Sequence, residues 1–319
     1  MLRNIKYFLY RMHARQSNVQ TIRQPSYTAL LVDSMDRYPN GYPDDVNMQT
    51  TSSEWSLQSS QYVLNGYFTR LSLTQIQFFW NLPTCISGYN NKWGFNFSDI
   101  GFLPISIPTG WYSPATMAQT ILDWSTGTPG PPLTGFTCVA DSVTGILTFG
   151  YTSDFTLLTP SAASAQATSR TISANIYART YQTSGAIPGV AVAVEGGTYA
   201  LTGTLPTMLA TRFINLESKY LTKHQRVKDS STLLSGQSTN ILCRINAFAP
   251  STRTAWPPLV AETPFVISLD FATTKLINWS PDEIVSNFDV SLTDEYGNLV
   301  PWAPAYGCEY NFTLIASET

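Results

Sequence analysis

The sequence has few charged residues. Only 12% of the 319 residues are charged, about half the share usual for a soluble globular chain, whereas 43% are apolar. A chain this rich in apolar residues forms a large core, which argues against disorder over most of its length. Serine, threonine, asparagine, glutamine and glycine take the place of charge, and these residues favour strands and turns over helix surfaces. The composition predicts an all-β protein.

Cysteine is scarce, and long apolar runs are missing. The four cysteines are Cys85, Cys138, Cys243 and Cys308. They lie 53, 105 and 65 residues apart and form no CxxC pair. This spacing argues against a zinc site, and the number is too small for a disulfide scaffold, so we predict free thiols in a reducing compartment. No segment approaches 18 apolar residues, and charges interrupt the first 16, so neither a membrane span nor a signal peptide is predicted.

Catalytic signatures are also missing. The only histidines are His13 and His224, and the sequence contains no GxSxG, GxxxxGK or HExxH and no GxGxxG after a strand. Paired carboxylates occur at residues 282–283 and 294–295, where a glycosidase could use two acids, but both pairs stand in turn compositions that indicate surface turns. We predict no enzymatic activity, no cofactor and no metal.

Alternating apolar residues predict β-strands at both ends of the chain. Leu71 and Leu73 alternate with polar residues, and from Ile76 to Trp80 the alternation continues one position out of phase, which requires a β-bulge or a bend. Later runs with the same period cover residues 241–245, 265–271, 288–292 and 310–314. One sandwich core is expected to contain Phe288, Val290, Leu292, Phe312 and Leu314. The pattern predicts an antiparallel sandwich closed by its termini.

The middle of the chain predicts an inserted, mainly-β subdomain with one short helix. Ser113 and Pro114 are typical of a helix N-terminus, and Met117, Ile121 and Trp124 follow at helical spacing, which predicts a helix over residues 114–124. Residues 136–151 predict a hairpin, and the Ser/Ala/Thr-rich residues 159–208 indicate short strands or exposed loops. The predicted domains are an extended arm over 1–57, a sandwich core over 58–100 and 209–319, and an insertion region over 101–208.

The predicted arm is basic, whereas the C-terminal part of the chain is acidic. Five cations precede the first acid, Asp33, and residues 262–319 hold nine acids against one base. A solvated tail, a genome contact through phosphates and docking on a neighbouring subunit all remain open. Aromatic residues among the cations favour a protein partner, because such side chains are costly to leave in water. The candidate assembly residues are Arg3, Lys6, Tyr7, Phe8, Tyr10, Arg11, Arg15 and Arg23.

Two segments resemble jelly-roll capsid proteins of virophages and polinton-like viruses. The first is Phe-Asp-Val-Ser-Leu-Thr-Asp-Glu-Tyr-Gly-Asn-Leu at 288–299, with the ending Asn-Phe-Thr-Leu-Ile-Ala-Ser-Glu-Thr at 311–319. The second is Ile-Pro-Thr-Gly-Trp-Tyr-Ser-Pro at 107–114, followed by the predicted helix and by Asp-Ser-Val-Thr-Gly-Ile-Leu-Thr-Phe at 141–149. In that group the penton, a minor capsid protein, is a single jelly roll of about this length, whereas the major capsid protein is a longer double jelly roll.

The resemblance implies a structural protein of the virion. It implies a single antiparallel jelly roll with an insertion, a penton capsomer forming homopentamers at icosahedral vertices, and contacts with neighbouring major and minor capsid proteins. The family has no catalytic residues to transfer. A second hypothesis is a carbohydrate-binding β-sandwich module or spike head that stacks exposed tryptophans on sugar rings. A third is a glycosidase using Asp294 or Glu295.

Overall fold

The computed structural model describes residues 27–37, 51–58, 68–127, 133–167, 174–224, 240–247, 264–272, 275–280, 283–301 and 307–318. The strands in these ranges are β1 (Tyr27–Asp33), β2 (Glu54–Gln58), β3 (Arg70–Asn81), β4 (Lys92–Phe97), β5 (Gly101–Ser106), β6 (Thr137–Ala140), β7 (Leu147–Tyr151), β8 (Phe155–Leu157), β9 (Gly189–Val190), β10 (Val192–Val194), β11 (Thr198–Thr202), β12 (Phe213–Glu217), β13 (Ile241–Asn246), β14 (Phe265–Asp270), β15 (Leu276–Asn278), β16 (Asn287–Thr293) and β17 (Gly307–Ser317). The helices are α1 (Pro114–Gly127), α2 (Pro160–Gln166) and α3 (Ala174–Ser184).

Two antiparallel sheets form the first unit, and their strand pairs are nested along the chain. Sheet A has the order β1-β17-β3-β14, with β15 also beside β3, and sheet B has the order β13-β12-β16-β2. The first strand therefore pairs with the last, β2 with β16, β3 with β14 and β15, and β12 with β13. A long hairpin rolled into two sheets has this pairing, which is that of a jelly roll.

The core of the jelly roll contains the residues that the alternation predicted. Phe288, Val290, Leu292, Phe312 and Leu314 are all buried in one cluster between sheets A and B, with Trp80 and Phe78 of β3. The predicted phase slip in β3 is a β-bulge: Leu73 is opposite Leu314, and Gln75 is opposite Thr313, so Thr74 is the extra residue. The predictions of the all-β sandwich, its core and the bulge are confirmed.

A second unit with its own core lies between β3 and β12. It contains sheet C, of order β5-β4-β8-β9, and sheet D, of order β10-β11-β7-β6. Aromatic rings of both sheets, among them Trp93, Phe95 and Phe149, meet in a separate buried cluster. The predicted inserted unit is therefore mainly β, as expected.

Local hydrogen bonds explain the two elements predicted inside the insertion. The backbone N–H of Thr116 donates to Ser113 Oγ at 3.1 Å, and that of Ser113 donates to Thr116 Oγ1 at 2.8 Å, a reciprocal cap at the start of α1. In the β6–β7 hairpin, Asp141 Oδ1 accepts hydrogen bonds from the backbone N–H groups of Val143 and Thr144. Gly145 supplies the positive φ of 73° that closes the turn.

The structure corrects two predicted boundaries and the predicted helix content of the insertion. The predicted arm over 1–57 contains β1 and all but the last residue of β2. The sequence pattern did not predict β1, because this strand carries apolar residues on both faces and so shows no alternation. The segment 58–100, assigned to the sandwich, includes β4, which belongs to the insertion core. The insertion has two helices beyond the one predicted, α2 and α3, in a small-residue segment whose composition indicated strands or loops.

Candidate interaction surface

The outer face of sheet A exposes large apolar side chains. The alternation that sends Val32 and Phe78 into the core sends their neighbours outward, and the strand registers align these neighbours in rows across the sheet. Five of the outward side chains are large and apolar, with 41–73% of their surface exposed: Tyr27, Leu31, Phe79, Val266 and Leu276. We call this surface the sheet-A face. Monomeric proteins rarely leave such a patch uncovered, so it is the candidate interaction surface.

The sheet-A face also carries unbalanced charge. Asp33 lies in the row Asp33–Asn311–Gln77–Ser268, and Asp270 ends the row Leu31–Thr313–Gln75–Asp270. Within the described part of the chain neither acid forms a salt bridge, and the one cation in the aligned rows is Arg70. The face therefore combines apolar side chains with a net negative charge.

The outer face of sheet B has the opposite character. Its polar side chains pair with one another: Arg244 Nε donates to Asn215 Oδ1 at 2.9 Å, and Thr293 Oγ1 donates to Glu217 Oε1 at 2.6 Å. Among the described residues, no large apolar side chain of β2, β12, β13 or β16 is exposed. The two faces of the jelly roll are thus chemically different.

A buried ion pair joins the insertion to the jelly roll. Arg179 of α3 contacts Asp294, just after β16, with 2.9 Å between Nη2 and Oδ2, and Asp294 is fully buried. Tyr89 Oη donates to the same carboxylate at 2.9 Å, and the Arg179 guanidinium stacks on the Tyr89 ring at 4.2 Å. Burial and the adjacent Asp294 carboxylate raise the pKa of Tyr89, which keeps its hydroxyl protonated as a donor.

Asp294 is fully buried, and contacts within the protein occupy both of its carboxylate oxygens. Its Oδ1 accepts hydrogen bonds from the backbone N–H groups of Tyr296 and Asn298, and its Oδ2 is held by Arg179 and Tyr89. Glu295 accepts hydrogen bonds from Thr211 and from the backbone of Arg212. Asp294 and Glu295 do stand in a turn, as predicted. The expectation that Asp294 lies at the surface is wrong, because Arg179, which belongs to the insertion, covers its carboxylate.

The other catalytic candidates form no reactive group either. His224 contacts the Glu283 carboxylate at 2.7 Å and the edge of the Trp279 ring, and no described serine or cysteine hydrogen-bonds to it. The described residues contain no cluster of His, Cys, Asp and Glu suited to a metal ion. All four cysteines are free, and burial raises the pKa of the Cys85, Cys138 and Cys243 thiols to about 12. No helix in the described ranges is long and apolar enough to cross a membrane.

The tryptophans do not form a sugar platform in the described part of the chain. Trp80 and Trp93 are fully buried, Trp55 and Trp279 nearly so, and Trp111 and Trp124 are half-buried.

The predicted assembly residues Arg3, Lys6, Tyr7, Phe8, Tyr10, Arg11, Arg15 and Arg23 all lie outside the described residues, as does His13. The sequence analysis did not predict the sheet-A face. Apolar residues occur on both faces of β1, and this pattern could have indicated that its outer face is apolar.

Comparisons of the sequence with family models and with curated proteins find no match. Solved structures do match. The mavirus penton protein is 10% identical with a TM-score of 0.46, and the alignment covers 92% of this chain and 99% of that one. This chain is similar in structure to a virophage penton protein. A chain in the cryo-electron microscopy structure of the Sputnik virophage is 12% identical with a TM-score of 0.42, covering 92% and 98% of the two chains.

Proposed function

We propose that the protein is a structural capsid protein, a penton capsomer that closes icosahedral vertices as a homopentamer. The observation that carries the proposal is the sheet-A face, an exposed apolar surface on a jelly roll whose other face is polar and internally paired. A ring needs a heterologous interface, in which one surface of each subunit packs on a different surface of the next. A subunit with two unlike faces meets that requirement.

The rest of the molecule fits the same role. The described residues offer no reactive constellation and no exposed tryptophan, so the glycosidase and the carbohydrate-binding module lack support. In the proposed virion, the insertion faces outward, and the ring contacts neighbouring major and minor capsid proteins. Four free thiols, three of them buried, agree with assembly in a reducing compartment of the infected cell.

The oligomeric state of the purified full chain tests the proposal. Native mass spectrometry and negative-stain images should show fivefold rings of 35.3 kDa subunits. The double variant Leu31→Ser/Val266→Ser removes two exposed apolar side chains of the sheet-A face and should weaken association at least about tenfold. Val139→Ser is the matched control, because Val139 is 60% exposed but lies on the insertion. A wild-type chain that stays monomeric at every concentration tested would contradict the proposal.

A further inference from the structure

The sheet-A face has two chemical requirements for whatever covers it. The partner has to supply apolar or aromatic groups for Leu31, Phe79 and Val266, which are spread from β1 at one edge to β14 at the other. It also has to supply positive charge, because Asp33 and Asp270 lie on the face with Arg70 as the one cation in the aligned rows. A neutral apolar segment would partly desolvate these two carboxylates without supplying a counter-charge, which is unfavourable.

Residues 1–26 of the chain have the matching composition. They contain no acid, and they hold five cations and a run of apolar and aromatic residues between Ile5 and Met12. The C-terminal end of this segment joins β1 at Tyr27, whose side chain belongs to the sheet-A face. Cations interleaved with aromatic rings are the composition that an acidic, partly apolar surface selects.

The segment is long enough to reach a neighbouring subunit. Twenty-six residues span up to about 85 Å when extended. Four strands spaced about 4.8 Å apart make sheet A only about 15 Å wide between its edge strands. Among the described strands, β1 lies at the edge of sheet A, so the segment joins the fold at the side of the subunit.

We propose that residues 1–26 of one copy dock on the sheet-A face of the neighbouring copy. The aromatic residues of the segment pack on Leu31, Phe79 and Val266, and its cations lie beside Asp33 and Asp270. This inference rests on the proposed function, because the neighbouring copy is the next subunit of the ring, and it names the element that seats on the apolar face.

Photo-crosslinking in the full-length protein tests the docking. Phe8 is replaced by the photoreactive p-benzoyl-L-phenylalanine, and ¹⁴N-labelled and ¹⁵N-labelled chains are mixed before assembly. After irradiation of isolated assemblies, mass spectrometry should find mixed-isotope crosslinks to residues 27–33, 70–81, 265–270 or 276–278. The same photoreactive residue at position 139 is the matched control and should give no crosslinks to these strands.

Three outcomes would overturn the docking. The first is crosslinks that join only residues carrying the same isotope, which would mean that the segment contacts its own copy. The second is crosslinks to sheet B or to the insertion. The third is strongly salt-dependent binding of a residue 1–26 peptide to duplex DNA, with no affinity for assembled chains. Rings that form normally with any of these outcomes would refute the docking and leave the proposed function intact. A wild-type chain that forms no rings would instead refute the proposed function.

Removing charge from the sheet-A face tests the docking independently of the crosslinks. The double variant Asp33→Asn/Asp270→Asn keeps the shape of the face and removes its two carboxylates that form no salt bridge, so binding of a fluorescent residue 1–26 peptide to the full-length variant should fall about tenfold at low salt. Asp123→Asn with Asp154→Asn, two acids of the insertion, is the control pair and should leave binding unchanged. Equal binding by both double variants would contradict the proposed role of the two face carboxylates.

Discussion

At the scale of single residues, the junction between insertion and jelly roll depends on one buried charge pair. Arg179 and Asp294 come from different units, and both are removed from water. Attraction within a buried pair roughly offsets the cost of desolvating it, but removal of one partner leaves an uncompensated charge. The pair therefore acts more as an orientation device for the insertion than as a source of net stability.

We predict that Arg179→Met destabilises the protein by about 3–5 kcal/mol, because Asp294 then stays buried without its cation. The double variant Arg179→Met/Asp294→Asn should recover much of that loss, since no unpaired charge remains and the amide oxygen can still accept hydrogen bonds from the backbone N–H groups of Tyr296 and Asn298. Urea denaturation of both variants measures the difference in free energy of unfolding. Losses that simply add in the double variant would show that the two side chains are not coupled.

A second ion pair holds the end of β1 on β17. Arg37 Nη2 lies 2.7 Å from Glu309 Oε1, its Nη1 donates to Oε2 at 2.9 Å, and Ser34 Oγ donates to Oε2 at 2.6 Å. Partial burial raises the pKa of Glu309, but the hydrogen bonds from Arg37 and Ser34 outweigh it, and the pKa lies below the ordinary value of 4.5. The folded protein therefore favours the ionised carboxylate.

This pKa shift predicts acid sensitivity. A lowered folded-state pKa gives stability that is complete above about pH 4.5 and is lost as the pH falls through the folded-state pKa. Glu309→Gln should therefore be less stable than wild type at neutral pH, with a gap that narrows on acidification. Unfolding free energies of both proteins across that pH range measure the gap. A constant gap would mean that Glu309 stabilises the fold without its charge.

At the scale of elements, the strands of the jelly roll are stabilised by the side chains they turn inward. Leu292 of β16 is fully buried between the sheets, so Leu292→Ala should destabilise the protein by about 2–5 kcal/mol through lost burial and a cavity. Val266→Ala in β14 removes an exposed side chain and is the control. Thermal and urea unfolding measure both changes, and a loss below about 1 kcal/mol at Leu292 would contradict the assigned face.

The packing of α2 on sheet C depends on one glycine. A Cβ atom on Gly94 of β4 would overlap the Cβ of Ala163 in α2 and come within 3.2 Å of the Phe102 ring. Gly94→Ala should cost about 1–3 kcal/mol through overpacking, although alanine suits a strand better than glycine. Adding Ala163→Gly should restore part of the loss in a double-mutant cycle of unfolding free energies. If the double variant is no more stable than Gly94→Ala, the contact between Gly94 and Ala163 is not the source of the lost stability.

At the scale of the whole molecule, the boundary of the jelly roll decides what a truncation does. β1 begins at Tyr27 and pairs with β17 along its whole length. Deletion of residues 1–26 should therefore leave the unfolding temperature close to that of the full chain and reduce assembly. Deletion of residues 1–33 removes an edge strand and Val32 from the core, so it should lower the unfolding temperature. Equal unfolding temperatures for the two truncations would contradict the place of β1 in sheet A.

The sequence alone determined the features that depend on neighbours along the chain. Period-two alternation identified β16 and β17 and the inward phase of Phe288 and Phe312, because one buried face imposes that period. Ser113 and Asp141 predicted a helix start and a turn, since each side chain bonds to backbone within three residues.

Only the tertiary structure decided which distant segments meet. It placed β1 beside β17, enclosed Asp294 with an arginine from another unit, and aligned Leu31, Phe79 and Val266 on one face. Alternation specifies which side of a strand is buried, but it carries no information about partner or register. Those depend on contacts between residues far apart in the chain, and the sheet-A face exists only once they have formed.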